Sequence, residues 1–238
     1  MPDADNVLLL YGILDAAARS GAAVASVLDR RSGVGDTSLE LLGAEPFSVL
    51  AASISPDLVR RPDEATLLAY RDTIDAVHAA QTIVPLRFGT TMDARTEIQP
   101  LLAPNRDALR AHLERFEDRV EVGVRLQLAD SPATDPAPDP VQAASGRAYL
   151  EARRDERAHR ADREEAVVTA YRTAIEAAWV DGVRDRKETD DGSVLSAAFL
   201  VPRSRADAVC RRLEAVESRH VREAHVVGPW APYSFVRL

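Results

Sequence analysis

The chain has 238 residues, 46% of them hydrophobic and 29% charged, the composition of a soluble globular protein with one large or two small domains. Its 30 basic and 38 acidic side chains leave a formal net charge of −8, which argues against a general phosphate-backbone binder, because that function needs a basic face. The single cysteine, Cys210, excludes an intramolecular disulfide framework and a cysteine-based zinc cluster.

The acidity is spread over the whole length. Residues 1–129 carry 13 basic and 19 acidic groups, and residues 130–238 carry 17 and 19. No run approaches the ~18 apolar residues of a membrane helix, so no membrane span is expected. Val7 to Leu10 is short and follows two aspartates, the wrong flank for a secretory signal peptide. A reducing, cytoplasmic setting fits the lone thiol.

Val7–Ile13 is a short apolar run that suits a buried strand. Ala22–Leu28 is ambiguous between strand and helix. Leu39–Leu42 and Phe47–Ile54 flank Gly43-Ala-Glu-Pro46, a plausible hairpin. Asp63 caps a helix that runs to Ala80, with Leu67, Ile74 and Val77 on one face and Tyr70 near it. Ile83–Phe88 is extended, and Pro85 suits an edge. A short helix spans Ala94–Leu101. Asn105 is placed to cap the next helix, with Leu109, Leu113 and Phe116 at helical spacing. Val120–Leu128 alternates with a period of two, so one face is expected in a core.

Asp130–Pro140 holds four prolines and three aspartates in 11 residues and reads as an extended linker. The expected division is an N-terminal α/β domain at 1–129, a proline-rich linker at 130–145, and a C-terminal α+β domain at 146–238. A long helix opens the last domain, from Gly146 to about Val180. Residues 147–165 carry six basic and six acidic groups and mostly alanine between them, so that half is solvated. Val168, Tyr171, Ile175 and Trp179 then form a core stripe. Residues 183–189 and 194–201 are strands joined by a turn at Asp190–Ser193. A helix over Ser204–Ser218 turns Val209, Leu213 and Val216 inward. His220–Val227 and Ser234–Val236 are the last expected strands. The fold class is therefore α+β, in two small units.

Five segments occur in order: Leu10-Tyr-Gly-Ile13, Val84-Pro-Leu-Arg-Phe-Gly-Thr90, Val120-Glu-Val-Gly-Val124, Gly146-Arg-Ala-Tyr-Leu150 and Gly228-Pro-Trp-Ala-Pro-Tyr-Ser-Phe-Val236. The series resembles the GvpL/GvpF family of gas vesicle proteins over essentially the whole chain. It assigns the family, and not the F-type or L-type branch within it. Ala231 stands where the family commonly has a second proline. The resemblance implies an accessory protein needed to make gas vesicles, the hollow protein shells that give some prokaryotic cells buoyancy. It implies a ferredoxin-like C-terminal domain. The implied partners are the small hydrophobic shell protein and other accessory proteins. For some members it implies a place as a minor part of the shell's inner, gas-facing surface. No catalytic residue, cofactor or metal is implied.

The motif residues singled out as partner-binding or family-defining are Tyr11, Arg87, Phe88, Gly89, Tyr149, Trp230, Tyr233 and Phe235. Arg87 should point opposite to Leu86 and Phe88. It either offers a guanidinium to a partner or fixes its strand through an internal salt bridge, the reading favoured here. Gly89 permits the following turn. Trp230 and Tyr233 have the contact area of interface anchors, but the favoured reading folds this segment back over the C-terminal core.

The five histidines, His78, His112, His159, His220 and His225, include no i,i+4 pair, and a metal site needs three or four convergent ligands. A G-x-S-x-G elbow and a P-loop are both lacking. Non-enzymatic assembly is thus the leading expectation. A small-molecule-binding protein or enzyme is one alternative, and a regulatory module using the projecting helix is another.

Overall fold

A computed structural model describes residues 6–129, 146–176, 178–189 and 192–237. The expected linker at 130–145 and the turn residues Asp190 and Asp191 lie outside them.

Strand β1 (Val7–Asp15) is the centre of the first unit. Leu8 through Leu14 are all buried, so both faces of this strand are covered, which is why its sequence is continuously apolar instead of alternating. Strands β2 (Leu39–Ala44) and β3 (Phe47–Ile54) form the expected hairpin, in register from Leu39↔Ala52 to Ala44↔Phe47. β3 pairs antiparallel with β1, and the register shifts between Leu10 and Gly12, which leaves Tyr11 as the extra residue of a bulge. The ambiguous segment is a helix, α1 (Ala22–Leu28), with Val24 as its buried contact.

The other side of β1 is lined by β4 (Val84–Pro85) and β5 (Thr91–Met92), paired at Gly12↔Pro85 and Leu8↔Met92. The two behave as one edge strand interrupted by a turn. The sheet order is β2-β3-β1-β4, with β5 also on β1.

The short helix α2 (Pro56–Arg60) leads into α3 (Glu64–Ala80). Asp63 caps α3, its carboxylate accepting the Thr66 N–H at 2.8 Å. The buried face is Tyr70, Thr73, Ile74, Val77 and His78. Leu67, expected in the stripe, is 44% exposed, because the core begins one turn later, where the Tyr70 ring fills it. Helices α4 (Ile98–Leu102) and α5 (Arg106–Phe116) follow. Asn105 precedes α5 but makes no capping hydrogen bond. It belongs to a 3₁₀ turn over residues 103–105 and lacks the extended backbone a cap needs.

The second unit runs β6 (Arg119–Leu128), α6 (Gly146–Ala174), β7 (Asp181–Thr189), β8 (Gly192–Pro202), α7 (Ala206–Glu214) and β9 (Val221–Trp230). Its sheet order is β7-β8-β6-β9. This β-α-β-β-α-β succession is compatible with the ferredoxin-like expectation. Val120 through Val124 are buried without a break, so β6 is covered on both faces there and is more central than its alternation suggested. α6 ends at Ala174, short of Trp179. Val167, Val168, Tyr171 and Ile175 are buried, whereas Leu150 near the other end is 68% exposed, as the alanine-rich pattern implied. On α7, Val209 and Leu213 are buried and Cys210 is half-buried; the helix ends at Glu214, short of the expected Ser218, and Val216 lies half-buried beyond it.

The chain divides into residues 1–121 with 230–238, and residues 122–229. This differs from the expected boundary at 129. β6 carries the chain out of the first unit and into the second sheet, and the last residues return to the first unit. Ser234–Val236, expected as a strand, falls instead on a 3₁₀ turn over Tyr233–Phe235. The reason lies in its hydrogen bonds: the amides of Ala231 and Ser234 go to side-chain carboxylates and not to a neighbouring strand.

Gly12 shows how tightly β1 is enclosed. A Cβ there would stand 2.8 Å from the Val84 carbonyl oxygen and about as close to Ile83. Gly12→Ala is expected to destabilise the protein by about 1–3 kcal/mol through overpacking. A lower urea midpoint with unchanged slope would show it, and an unchanged midpoint would contradict it.

Candidate functional site

Four motif residues from distant parts of the sequence gather around one residue that sequence reasoning had only placed near a stripe, Tyr70. Its ring stacks on Tyr11 with centroids 4.7 Å apart and meets Phe88 edge-on at 5.2 Å. Ala231 and Tyr233 pack into the same buried cluster. The Tyr70 hydroxyl donates to the carbonyls of Leu10 at 2.8 Å and Leu86 at 3.0 Å. It therefore ties the bulge of β1 to the segment after β4, where strand pairing is irregular. The Tyr11 hydroxyl accepts the Val34 N–H at 2.8 Å. Burial pushes the Tyr70 phenol far up, helped by the neighbouring phenols of Tyr233 and Tyr11. Burial also raises Tyr11, against the Val34 amide, which lowers it.

Arg87, Phe88 and Gly89 form the turn between β4 and β5. The Thr90 N–H and hydroxyl both donate to the Arg87 carbonyl, at 3.2 and 2.8 Å. Gly89 has φ +89°, which glycine adopts without strain. Phe88 faces the core and Arg87 faces solvent, as their alternation predicted. The internal salt bridge expected of Arg87 is not formed, because its side chain is exposed and has no ion-pair partner among the described residues.

The segment 230–237 lies on the first unit, a correction to the expectation that it covers the C-terminal core. Asp75 on α3 accepts the Ala231 N–H at 2.8 Å. Glu121 on β6 accepts the Ser234 N–H at 2.8 Å and its hydroxyl at 2.7 Å. His112 Nε2 lies 3.0 Å from the carbonyl and 3.2 Å from the amide nitrogen of Arg237. Two guanidinium groups cover the segment's rings: Arg71 sits 5.8 Å from the Trp230 centroid and Arg115 sits 5.6 Å from that of Phe235. Ala231 and Phe235 are fully buried, and Trp230 and Tyr233 are half-buried. The side chain of Tyr149 lies outside the described residues.

Burial raises the Glu121 carboxyl above its ordinary 4.5. The Ser234 N–H and hydroxyl oppose this, and the charge of Asp75 adds to it. Asp75 is likewise raised by burial, opposed by the Ala231 amide and by Arg71, and raised further by Asp72. Tyr233 is raised by burial and by Asp75. Asp75, Glu121 and Tyr70 were missed in the sequence, where each looks like an ordinary side chain on an amphipathic element. Glu121 carried one signal: it is a lone acid flanked by Val120 and Val122 in a strand.

Among the described residues no group of three or more His, Cys, Asp or Glu is placed to hold a metal ion. His78 and His112 are buried and bonded to main chain, His78 to the Arg119 carbonyl at 2.7 Å. Burial pushes the Cys210 thiol up, away from the reactive thiolate. Among the described residues no helix is long and apolar enough to cross a membrane.

Fold and site define a class: an α+β protein of two units, in which the motif residues Tyr11, Phe88, Tyr233 and Phe235 serve packing and the hold on a stretch of its own chain. The sequence profile of the gas vesicle synthesis proteins GvpL/GvpF matches residues 7–237. The chain belongs to that family, and so is a gas vesicle accessory protein. It is 30% identical over 182 residues to gas vesicle protein L of Streptomyces sp. (strain CB03234), which covers 71% of this chain and 68% of that protein. It is 26% identical over 231 residues to gas vesicle protein F of the same organism, covering 89% and 94%. The crystal structure of GvpF from Microcystis aeruginosa superposes with a TM-score of 0.77 at 18% identity, covering 98% of this chain and 99% of that one. GvpF from Anabaena sp. PCC7120 superposes at 0.74 and 20% identity, covering 98% and 97%. At such identities these structures speak for the fold.

The raised Glu121 carboxyl has a consequence for stability. The folded state holds its proton more tightly, so this group's contribution falls as pH rises from about 4.5 towards neutrality. Glu121→Gln removes that dependence, and the melting temperature of the variant relative to the parent should rise with pH over this range. A difference constant in pH would contradict it. Glu121→Ala removes the acceptor of both Ser234 donors and, with water able to reach exposed Ser234, should cost about 0.5–1.5 kcal/mol.

Proposed function

We propose that this protein acts in assembling the gas vesicle shell. It holds or recruits the small hydrophobic shell protein and docks other accessory proteins, in the cytoplasm of the vesicle-forming cell. Some copies stay as a minor component of the inner, gas-facing surface. The observation that carries this reading is the family match over residues 7–237. Physical chemistry supports it. Shell subunits present apolar surface to a gas phase and are aggregation hazards in water before assembly. A partner with net charge −8 stays dispersed while it handles them. The reading is non-enzymatic, in keeping with the packing role of Tyr11, Phe88, Tyr233 and Phe235.

Deleting the gene in a vesicle-forming host should reduce vesicle number or distort vesicle shape, and the intact gene should restore both. Vesicles normal in number and shape without the gene would end the assembly reading.

A further inference from the structure

The second unit carries a groove of about 410 Å³ where the last turns of α6 meet β7 and β8. Its floor is Val168, Ala197 and Phe199, all buried. Trp179 forms one wall, edge-on to Phe199 with centroids 6.3 Å apart. Gly182 keeps the groove open beside that ring: a Cβ there would stand 3.5 Å from both Trp179 and Phe199, in ordinary contact. Val180, next to Trp179, is 51% exposed.

Two arginines and two carboxylates line the groove, and their pairing is uneven. Arg184 is paired with Glu165. The Asp181 carboxylate accepts the Gly182 N–H at 2.7 Å. Arg172 has its guanidinium 4.8 Å from the Trp179 centroid and has no carboxylate partner among the described residues. A guanidinium already held on an indole face loses little freedom when it takes up a carboxylate. Tryptophan and arginine together are also the side chains in which interface binding energy concentrates.

The edge strand beside the groove is guarded against strand addition. The amides of Gly182 and Arg186 donate to the carboxylates of Asp181 and Asp185, the residues before them, at 2.7 and 2.8 Å. An occupant would therefore be held by its side chains and not by its backbone.

We propose that this groove is a docking site for a polypeptide segment that carries a large apolar side chain next to a carboxylate. The apolar group enters beside Gly182 onto Phe199, and the carboxylate meets Arg172. The proposal rests on the reading that this protein handles other polypeptides.

The sequence has two tryptophans, so a Trp230→Phe background leaves Trp179 as the sole indole reporter. The probe is a blocked hexapeptide, Gly-Ser-Leu-Glu-Ser-Gly, set against versions with Lys for Glu and with Ala for Leu. The Leu-Glu peptide should change Trp179 emission saturably, and both control peptides should bind about tenfold or more weakly. Arg172→Glu should weaken the Leu-Glu peptide by a similar factor and reverse the preference towards Leu-Lys. Gly182→Leu should abolish both responses by filling the groove. If that variant misfolds by circular dichroism, Arg172→Glu still decides, since its side chain is exposed. No response to the Leu-Glu peptide, equal responses to all three, or parental affinity in Arg172→Glu overturns the proposal. In vesicle-forming cells, a defect on deletion that Arg172→Glu fully repairs would sink the groove alone. No defect on deletion would sink the assembly reading and leave the peptide result to stand by itself.

Discussion

A buried carboxylate, Glu121, and a half-buried one, Asp75, need donors, and in the first unit residues 231 and 234 supply them. Asp75 takes the Ala231 N–H and Glu121 takes the N–H and hydroxyl of Ser234. Burial disfavours the charge on both groups. The amides offset part of that cost, with Arg71 3.9 Å from Asp75 adding to the offset, while Pro229 and Pro232 have no N–H to give. This mutual need explains why the segment runs over α3 and β6 as a 3₁₀ turn and not as a strand. It also explains how Ala231 and Phe235 come to be fully buried.

The motif residues gain a physical meaning from that arrangement. Tyr11 is the extra residue of a bulge, and a bulge leaves main-chain groups without ladder partners. Tyr70 supplies one hydroxyl to the Leu10 carbonyl beside the bulge and to the Leu86 carbonyl after β4, while its ring bridges Tyr11 and Phe88. Gly12 admits Val84 at a distance no side chain would allow. Leu10-Tyr-Gly and Leu86-Arg-Phe-Gly are therefore two halves of one packing solution. Arg87 alone among these residues points to solvent without an ion pair among the described residues, so its side chain does nothing for the core.

Much of the architecture was legible in local pattern. β1, the β2–β3 hairpin, α3 with its Asp63 cap, and the two halves of α6 follow from apolar runs, turn residues and helical spacing, all of which act between near neighbours in sequence. The long-range pairings were not legible. Nothing near Asp75 announces Ala231, 156 positions away, and nothing near Glu121 announces Ser234. The boundary was misplaced for the same reason, because β6 looks like the end of one domain until its sheet partners β8 and β9 are known. Asn105 shows the opposite error: a residue type suited to a cap sat in a 3₁₀ turn, where backbone geometry denied it that role. The groove beside Trp179 depends on Arg172 and Gly182 meeting across α6 and β7, which spacing alone does not reveal.

Membership of the gas vesicle family rests on sequence over nearly the whole length, and the structure adds how the family's motif residues hold a unit together. In that arrangement the last residues are an integral part of the first unit. Amide hydrogen exchange read by mass spectrometry tests this most directly. The peptide covering residues 230–237 should exchange as slowly as β1 and be released together with it in denaturant. Exchange at the rate of an unstructured peptide, with β1 still protected, would show that the carboxylates do not hold it.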